Sequence, residues 1–524
     1  MSTIATPPSS AAHRQVMLVL PGLLLGMFLA ALDQTIVATA LPTIVGDLGG
    51  LDHLSWVITA YLLTSTASVP LYGKLSDIYG RKTLFQLTIF IFIVGSVLSG
   101  IAQNMLQLII FRGVQGIGAG GIMSLAMAIV ADVVAPRERG RYQGYFGGMF
   151  AMASVLGPLL GGLFVDHLSW RWAFLINLPL GLAAMAVTQF ALKLSYRRLD
   201  HPVDYLGAAL MVSGVSCLLL VATWGGREYA WASPTIVSLV IAGFSLTVLF
   251  VLQQLRAPEP LLPLRLFKLR AFGMGTLIMF LVGFTMFGAI AFLPLYLQVV
   301  KGVSATESGL KMLPLMVGVV SMSILSGRLI SSTGRYRFYP IAGSAIMAAG
   351  LFSLSRINEN TGYLEASFYM LTLGTGLGMI FQVLIIAAQN EVEFRDIGTA
   401  TAGMNFFRSM GGAFGVATYG SILNNRLDHY IPRFVPAGSV ASVNETALRS
   451  TPEQIRSLPP DVLNGLVEAF ARSLHFVFLA AALVAVLAFL LTWLLREVPL
   501  REHAHLAADP AEGRAETSVP AASS

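Results

Sequence analysis

Apolar runs of roughly 20 residues follow one another along almost the whole chain, each long enough to cross a bilayer as a helix. The pattern predicts six helices at 15–41, 54–73, 84–102, 106–131, 142–165 and 173–193. Two more follow at 205–224 and 234–255, then a second six at 271–297, 308–327, 339–356, 364–388, 400–423 and 470–495. The expected fold is an all-α membrane protein of two six-helix bundles plus two extra middle helices, about fourteen crossings in all. The first run follows a short polar tail, and no small-residue cleavage site comes after it, so it is expected to be retained.

Basic residues fall in alternate connections. Arg14 precedes the first helix; Lys74, Arg81 and Lys82 follow the second; Arg137, Arg139 and Arg141 the fourth; Lys193, Arg197 and Arg198 the sixth. Arg256, Arg265, Lys268 and Arg270 follow the eighth, and Arg328, Arg335 and Arg337 the tenth. The connection from Pro42 to Leu54 holds neither Lys nor Arg. The positive-inside rule then puts both termini on the cytoplasmic side of a cell inner (cytoplasmic) membrane. The expected organisation is a cytoplasmic tail at 1–14, a first bundle at 15–193, a linker with the two extra helices at 194–255 and a cytoplasmic loop at 256–270. A second bundle at 271–496 contains a long external loop at 424–469, and 497–524 reads as a disordered cytoplasmic tail. That loop is polar and carries a sequon at Asn444-Glu445-Thr446.

Composition agrees: 55% of the 524 residues are hydrophobic and only 11% charged, against about 25% charged in soluble domains. Topology accounts for the net charge of +6, so no nucleic-acid partner is expected. The lone Cys217, inside an apolar run, excludes an intrachain disulfide and is a poor setting for thiol catalysis.

Against this background Asp33 stands out. It is a carboxylate within Leu32-Asp33-Gln34-Thr35-Ile36-Val37, about 25 Å along its helix. Arg112, on an oppositely running helix, reaches a comparable depth, about 20 Å from the cytoplasmic side. Intramembrane charges are costly and usually functional, so the two are candidates for proton coupling, with Asp33 as carrier and Arg112 biasing its proton affinity. A structural polar pair is the alternative. Arg408, in Asn405-Phe406-Phe407-Arg408, is another deep cation, suited either to recognising an anionic or polar substrate group or to snorkelling. With Gln34, Gln115 and Asn405 it is a candidate to line a substrate cavity. Lys311 and Glu307 are placed near an external helix end. No catalytic residue, metal site or cofactor is expected, the energy source being a proton gradient. The chain lacks GxSxG, HExxH and GxxxxGK[ST] elements, which weighs against a membrane enzyme or an ATP-driven pump.

Gly73-Lys74-Leu75-Ser76-Asp77-Ile78-Tyr79-Gly80-Arg81-Lys82 is partly repeated at Gly327-Arg328-Leu329-Ile330-Ser331-Ser332-Thr333-Gly334-Arg335, at corresponding places in the two sets of six. Parallel halves of this kind mark transporters that rock about a midplane site. The first of these turns resembles the signature loop of the major facilitator superfamily. Leu108 to Gly118 resembles its fourth-helix motif, and Ser154-Val155-Leu156-Gly157-Pro158-Leu159-Leu160-Gly161-Gly162 its antiporter motif. Leu32 to Val37, Ala40-Leu41-Pro42 and Trp170 to Pro179 resemble the fourteen-helix drug:proton antiporter branch, the multidrug efflux transporters. Ala38-Thr39 depart from many relatives, and Ser331 stands where the repeated loop carries an acid.

The resemblance implies proton-coupled efflux of lipophilic or amphipathic drugs, cationic ones included, by alternating access from a monomer in the bilayer. It implies a switch in which Gly73, Asp77, Gly80 and Arg81, with Asp132, latch the bundles on the cytoplasmic side. It also implies that Gly157, Pro158, Gly161 and Gly162 form a seal or hinge, although small-residue helix packing is an alternative. Export of a dedicated lipid, siderophore or metabolite fits the same residues. A non-transporting receptor would leave Asp33 unexplained.

Overall fold

The computed structural model describes residues 10–48, 54–134, 136–192, 204–226, 229–393, 396–436 and 458–500. Among them the secondary structure is helical apart from an isolated bridge between Gly225 and Tyr229. In hydrocarbon a helix satisfies its own backbone polar groups, which is why these apolar runs adopt it. The first part of the chain gives α1 (Ser10–Leu48), α2 (Leu54–Tyr79), α3 (Arg81–Gly100), α4 (Met105–Val133), α5 (Pro136–His167), α6 (Trp172–Leu175) and α7 (Asn177–Ala191). A middle pair, α8 (Tyr205–Trp224) and α9 (Pro234–Arg256), follows. Then come α10 (Arg270–Leu295), the short α11 (Ala305–Lys311), α12 (Leu313–Thr333), α13 (Phe338–Ser355), α14 (Tyr363–Glu391), α15 (Ile397–Phe434) and α16 (Pro460–Thr492).

Eleven helical stretches among the described residues are long and apolar enough to cross a membrane, with α6 and α7 counted as one and α10 continued by a π-helical turn to Val300. Helices α2, α5 and α15 are as long but more polar.

Several expected boundaries move. The 308–327 span divides into α11 and α12, and the 173–193 span into α6 and α7. The expected loop at 424–469 is shortened from both ends, since α15 continues to Phe434 and α16 begins at Pro460. The residues at both edges of that expected loop are polar yet helical, so hydropathy alone ended the helices too early. The segment expected to be disordered from 497 is also fixed at its start. Val498 donates to the Tyr336 hydroxyl at 3.1 Å, and the Pro499 carbonyl accepts from Asn390 at 3.1 Å. Residues 1–9, 437–457 with the sequon, 501–524, and Lys193, Arg197 and Arg198 lie outside the described residues.

Helix α1 packs on α5, α7 and α4; α4 on α2 and α3; and α3 on α7. In the second set α10 packs on α15 and α16, α14 on α12 and α13, and α13 on α16. The sets meet where α5 runs along α12 and where α2 and α4 run along α15. The middle helices pack on each other, with α8 resting against both α2 and α15 and thus flanking that seam. Lys74, Arg81 and Arg265 lie together where α2, the start of α15 and the connection after α9 meet, termed here the basic end.

Candidate functional site: a buried carboxylate and a latch between helix sets

Asp33 is fully buried on α1. One carboxylate oxygen pairs with Arg112 Nη1 of α4 at 2.6 Å. The other accepts from Gln115 Nε2 of α4 at 2.8 Å and from Asn177 Nδ2 of α7 at 2.9 Å. Ser96 Oγ of α3 accepts from the same two amides, at 3.0 and 2.9 Å, and donates to the Phe174 carbonyl at 2.9 Å. Arg112 also bonds Gln115 Oε1 at 2.8 Å, and its guanidinium lies 4.1 Å from the Tyr61 ring centre. Three helices therefore meet at one carboxylate, and a fourth, α3, braces its two amide donors through Ser96. The amphipathic spacing of α4 accounts for part of this, since Arg112 and Gln115 are three residues apart and share a face. A buried charge pair needs its remaining donors and acceptors satisfied. The Gln115 and Asn177 amides serve the carboxylate and Ser96 holds those amides, while Asn177 Oδ1 is left without a partner.

The structure places the two sequence candidates Asp33 and Arg112 in direct contact. The sequence reading missed Asn177 and Ser96 as members of the site, and it placed Gln115 on a substrate cavity where the structure puts it inside this network. Gln34 is half-buried, its side chain beside the Tyr61 hydroxyl.

The second constellation lies at the basic end. Arg81, buried at the start of α3, pairs with Asp77 Oδ1 at 2.9 Å, with Asp132 of α4, and with Ser76 Oγ at 2.8 Å. The other Asp77 oxygen accepts the backbone N–H of Thr399 at 3.2 Å and its hydroxyl at 3.0 Å. Thr399 is in the first turn of α15, so a carboxylate of one helix set caps an open helix terminus of the other. Gly73 makes the approach possible, because a Cβ there would collide with Ala402 and the Gly398 carbonyl. Gly80 supplies the left-handed turn between α2 and α3, with φ 92°. The connection after α9 straddles the same place: Lys74 pairs with Glu259 at 2.8 Å, and Arg265 with Asp396 at 2.9 Å.

Gly157 and Gly161 of α5 lie against Thr35 and Thr39 of α1, and Thr35 Oγ1 donates to the Ala153 carbonyl at 3.0 Å. Gly162 differs from the expectation, having nothing within 4 Å of where a Cβ would be, since it is turned about 100° from Gly161 around the helix. Pro158 lies beside Gly309 near the end of α11. Glu307 and Lys311 pair with each other on α11 at 2.9 Å.

At the end opposite the basic one, Asp47 accepts from Trp170 Nε1 at 2.8 Å and from Arg171 Nη1 at 3.1 Å. These bonds, that of Trp170 first, hold its carboxyl below the ordinary value of 3.8. Asn405 and Arg408 are buried on α15, away from the Asp33 network, and Asn405 Nδ2 lies 3.6 Å from Met127 Sδ of α4. Among the described residues no group of three or more His, Cys, Asp or Glu side chains is placed to hold a metal ion.

Comparison with known proteins bears on this arrangement. The family model described as Major Facilitator Superfamily matches residues 23–416. The chain is 42% identical to the multidrug transporter protein MdtP of Bacillus subtilis, over 78% of this chain and 75% of that one. It is 36% identical to multidrug resistance protein 3 of the same species, over 92% and 95%. Among solved structures, the human organic anion transporter MFSD10 superposes with a TM-score of 0.62 over 93% of this chain and 100% of that one. At 16% identity, that likeness shows the fold alone.

Proposed function

Because the chain belongs to the major facilitator superfamily, whose members are membrane transporters, we propose that it exports lipophilic or amphipathic compounds in exchange for protons. The names of the two bacterial relatives support the drug-efflux part of this reading. One observation carries the proton part: the fully buried Asp33 carboxylate, held by Arg112, Gln115 and Asn177 at membrane depth. In this reading α2, α5 and α15 cross the membrane with the eleven more apolar stretches, giving fourteen passages. The basic end faces the cytoplasm, with both termini, and the bilayer is the cytoplasmic membrane.

The closed Asp77–Thr399 contact corresponds to a molecule shut on the cytoplasmic side. Export then proceeds as follows. Substrate leaves towards the outside, and a proton from that side neutralises Asp33. The neutral carboxyl no longer holds the Arg112 guanidinium by charge, which loosens α1 from α4 and α7. The latch opens, and the inward-facing molecule gives up the proton and takes the next substrate. Each latch hydrogen bond to a charged group is worth about 1.5–3 kcal/mol, small enough for the set to break and reform.

Reconstituted protein tests this directly. A lipophilic cationic dye such as ethidium should be pumped against its gradient when a pH gradient is imposed, and pumping should stop when nigericin collapses it. Uphill transport that persists without the gradient would refute proton coupling.

A further inference from the structure

Arg408 is a deep charge that the proton relay does not use. It lies at residue 408 of a helix that starts at 397, about 16 Å along α15, and is 9% exposed. Its guanidinium sits 4.6 Å from the ring centre of Phe381 on α14. Among the described residues no carboxylate pairs with it, and its Nε finds no hydrogen-bond partner. The residue after Phe381 is Gln382, 4% exposed, whose Oε1 also lacks a partner. One turn of α15 away is Asn405, 3% exposed, with Oδ1 in the same condition. Its Nδ2 reaches Met127 of α4, so this face of α15 looks across the seam between the helix sets.

Buried polar groups are satisfied as a rule, and a buried unpaired guanidinium is among the costliest exceptions. Here an unpaired donor on α15 lies one turn from an unpaired acceptor on the same helix, where Asn405 reaches the other helix set, and α14 carries a further unpaired acceptor next to Phe381. A ligand that brings an oxyanion to Arg408 and a hydrogen-bond donor to Gln382 or Asn405 would supply both missing partners. The Phe381 ring beside the cation offers a surface for its apolar body.

We propose that Arg408, Gln382 and Asn405 form a substrate subsite for amphiphilic acids, in which Arg408 receives a carboxylate or other oxyanion. This rests on the export reading for its purpose but not for its test, because binding needs no gradient. Probes that differ only in the charge are pyrenebutyrate and its methyl ester, titrated against the purified full-length protein in detergent by fluorescence anisotropy. The wild type should bind the acid about tenfold more tightly than the ester, as a charge-assisted hydrogen bond implies. Arg408→Gln should abolish that preference, bringing the acid down to the affinity of the ester, and Arg408→Lys should keep part of it. Equal affinity of the wild type for acid and ester would overturn the proposal even if Arg408→Gln does not fold. So would an undiminished preference in a monodisperse Arg408→Gln. Failure of gradient-driven efflux alongside a retained acid preference would count against the export reading and not against this site.

Discussion

The Asp77 carboxylate of α2 caps the first turn of α15 through the backbone N–H and hydroxyl of Thr399, 322 residues further along the chain. The same carboxyl group pairs with Arg81, so the turn between α2 and α3 and the start of α15 are held as one unit. Hydrogen bonds to a charged group are worth about 1.5–3 kcal/mol each, enough to set which side of the molecule is closed.

Asp77→Asn keeps the shape and removes the charge. It should move the open–closed equilibrium at the basic end about tenfold or more towards open. Spin labels on the facing ends of α2 and α15, in a Cys217→Ser background, would record a longer separation. An unchanged distance distribution would mean that this contact does not hold the end shut.

Glu259 pairs with Lys74 beside the same latch, but with a side chain 29% exposed. Solvated pairs contribute about 0–1 kcal/mol. Glu259→Gln should therefore leave the label distances and dye efflux within about twofold of wild type. A loss as large as that from Asp77→Asn would show that the connection after α9 takes part in the switch.

The Asp33 network predicts a ranking. Arg112→Leu strands a buried carboxylate and should cost about 3–5 kcal/mol, whereas Asn177→Ala removes one of three donors and should cost about 1.5–3 kcal/mol. The melting midpoint in detergent should fall further for Arg112→Leu, and Asn177→Ala should slow efflux about tenfold. Equal midpoints for wild type and Arg112→Leu would contradict the burial argument.

Asp47 gives the pH dependence at the opposite end. Its proton affinity is depressed by the bonds from Trp170 and Arg171, so the stabilisation is fully present above its ordinary value of 3.8. It is lost as pH falls through the lower folded value. Asp47→Asn should thus lower the melting midpoint by the same amount at pH 8 and at about pH 5, with the gap to wild type closing only below about 4. A gap that closes between pH 7 and pH 5 would contradict the assignment.

Much of this arrangement is legible in the sequence where it depends on local pattern. Hydropathy located the helices, and the carboxylate in Leu32-Asp33-Gln34 is visible because nothing else around it is charged. Arg112 follows from depth alone. What escaped were partners set by helix packing: Asn177 and Ser96 are neutral residues in apolar runs, and only the crossing of α3 and α7 with α1 gives them a role. Thr399 and Gln382 are hidden for the same reason. The end of α15 escaped for another: Arg426, Asp428 and Pro432 read as loop, although they belong to the helix. Hydropathy reports the thickness of the membrane, not the length of the helix.

Asp33→Asn is the variant on which the account turns. In proteoliposomes with an inward-directed proton gradient across right-side-out protein, wild type should expel ethidium uphill and alkalinise the outside as it does so. The variant should still bind the dye and let it equilibrate down its own gradient, yet lose both uphill export and proton movement. Uphill, proton-driven export retained by Asp33→Asn would contradict the central claim.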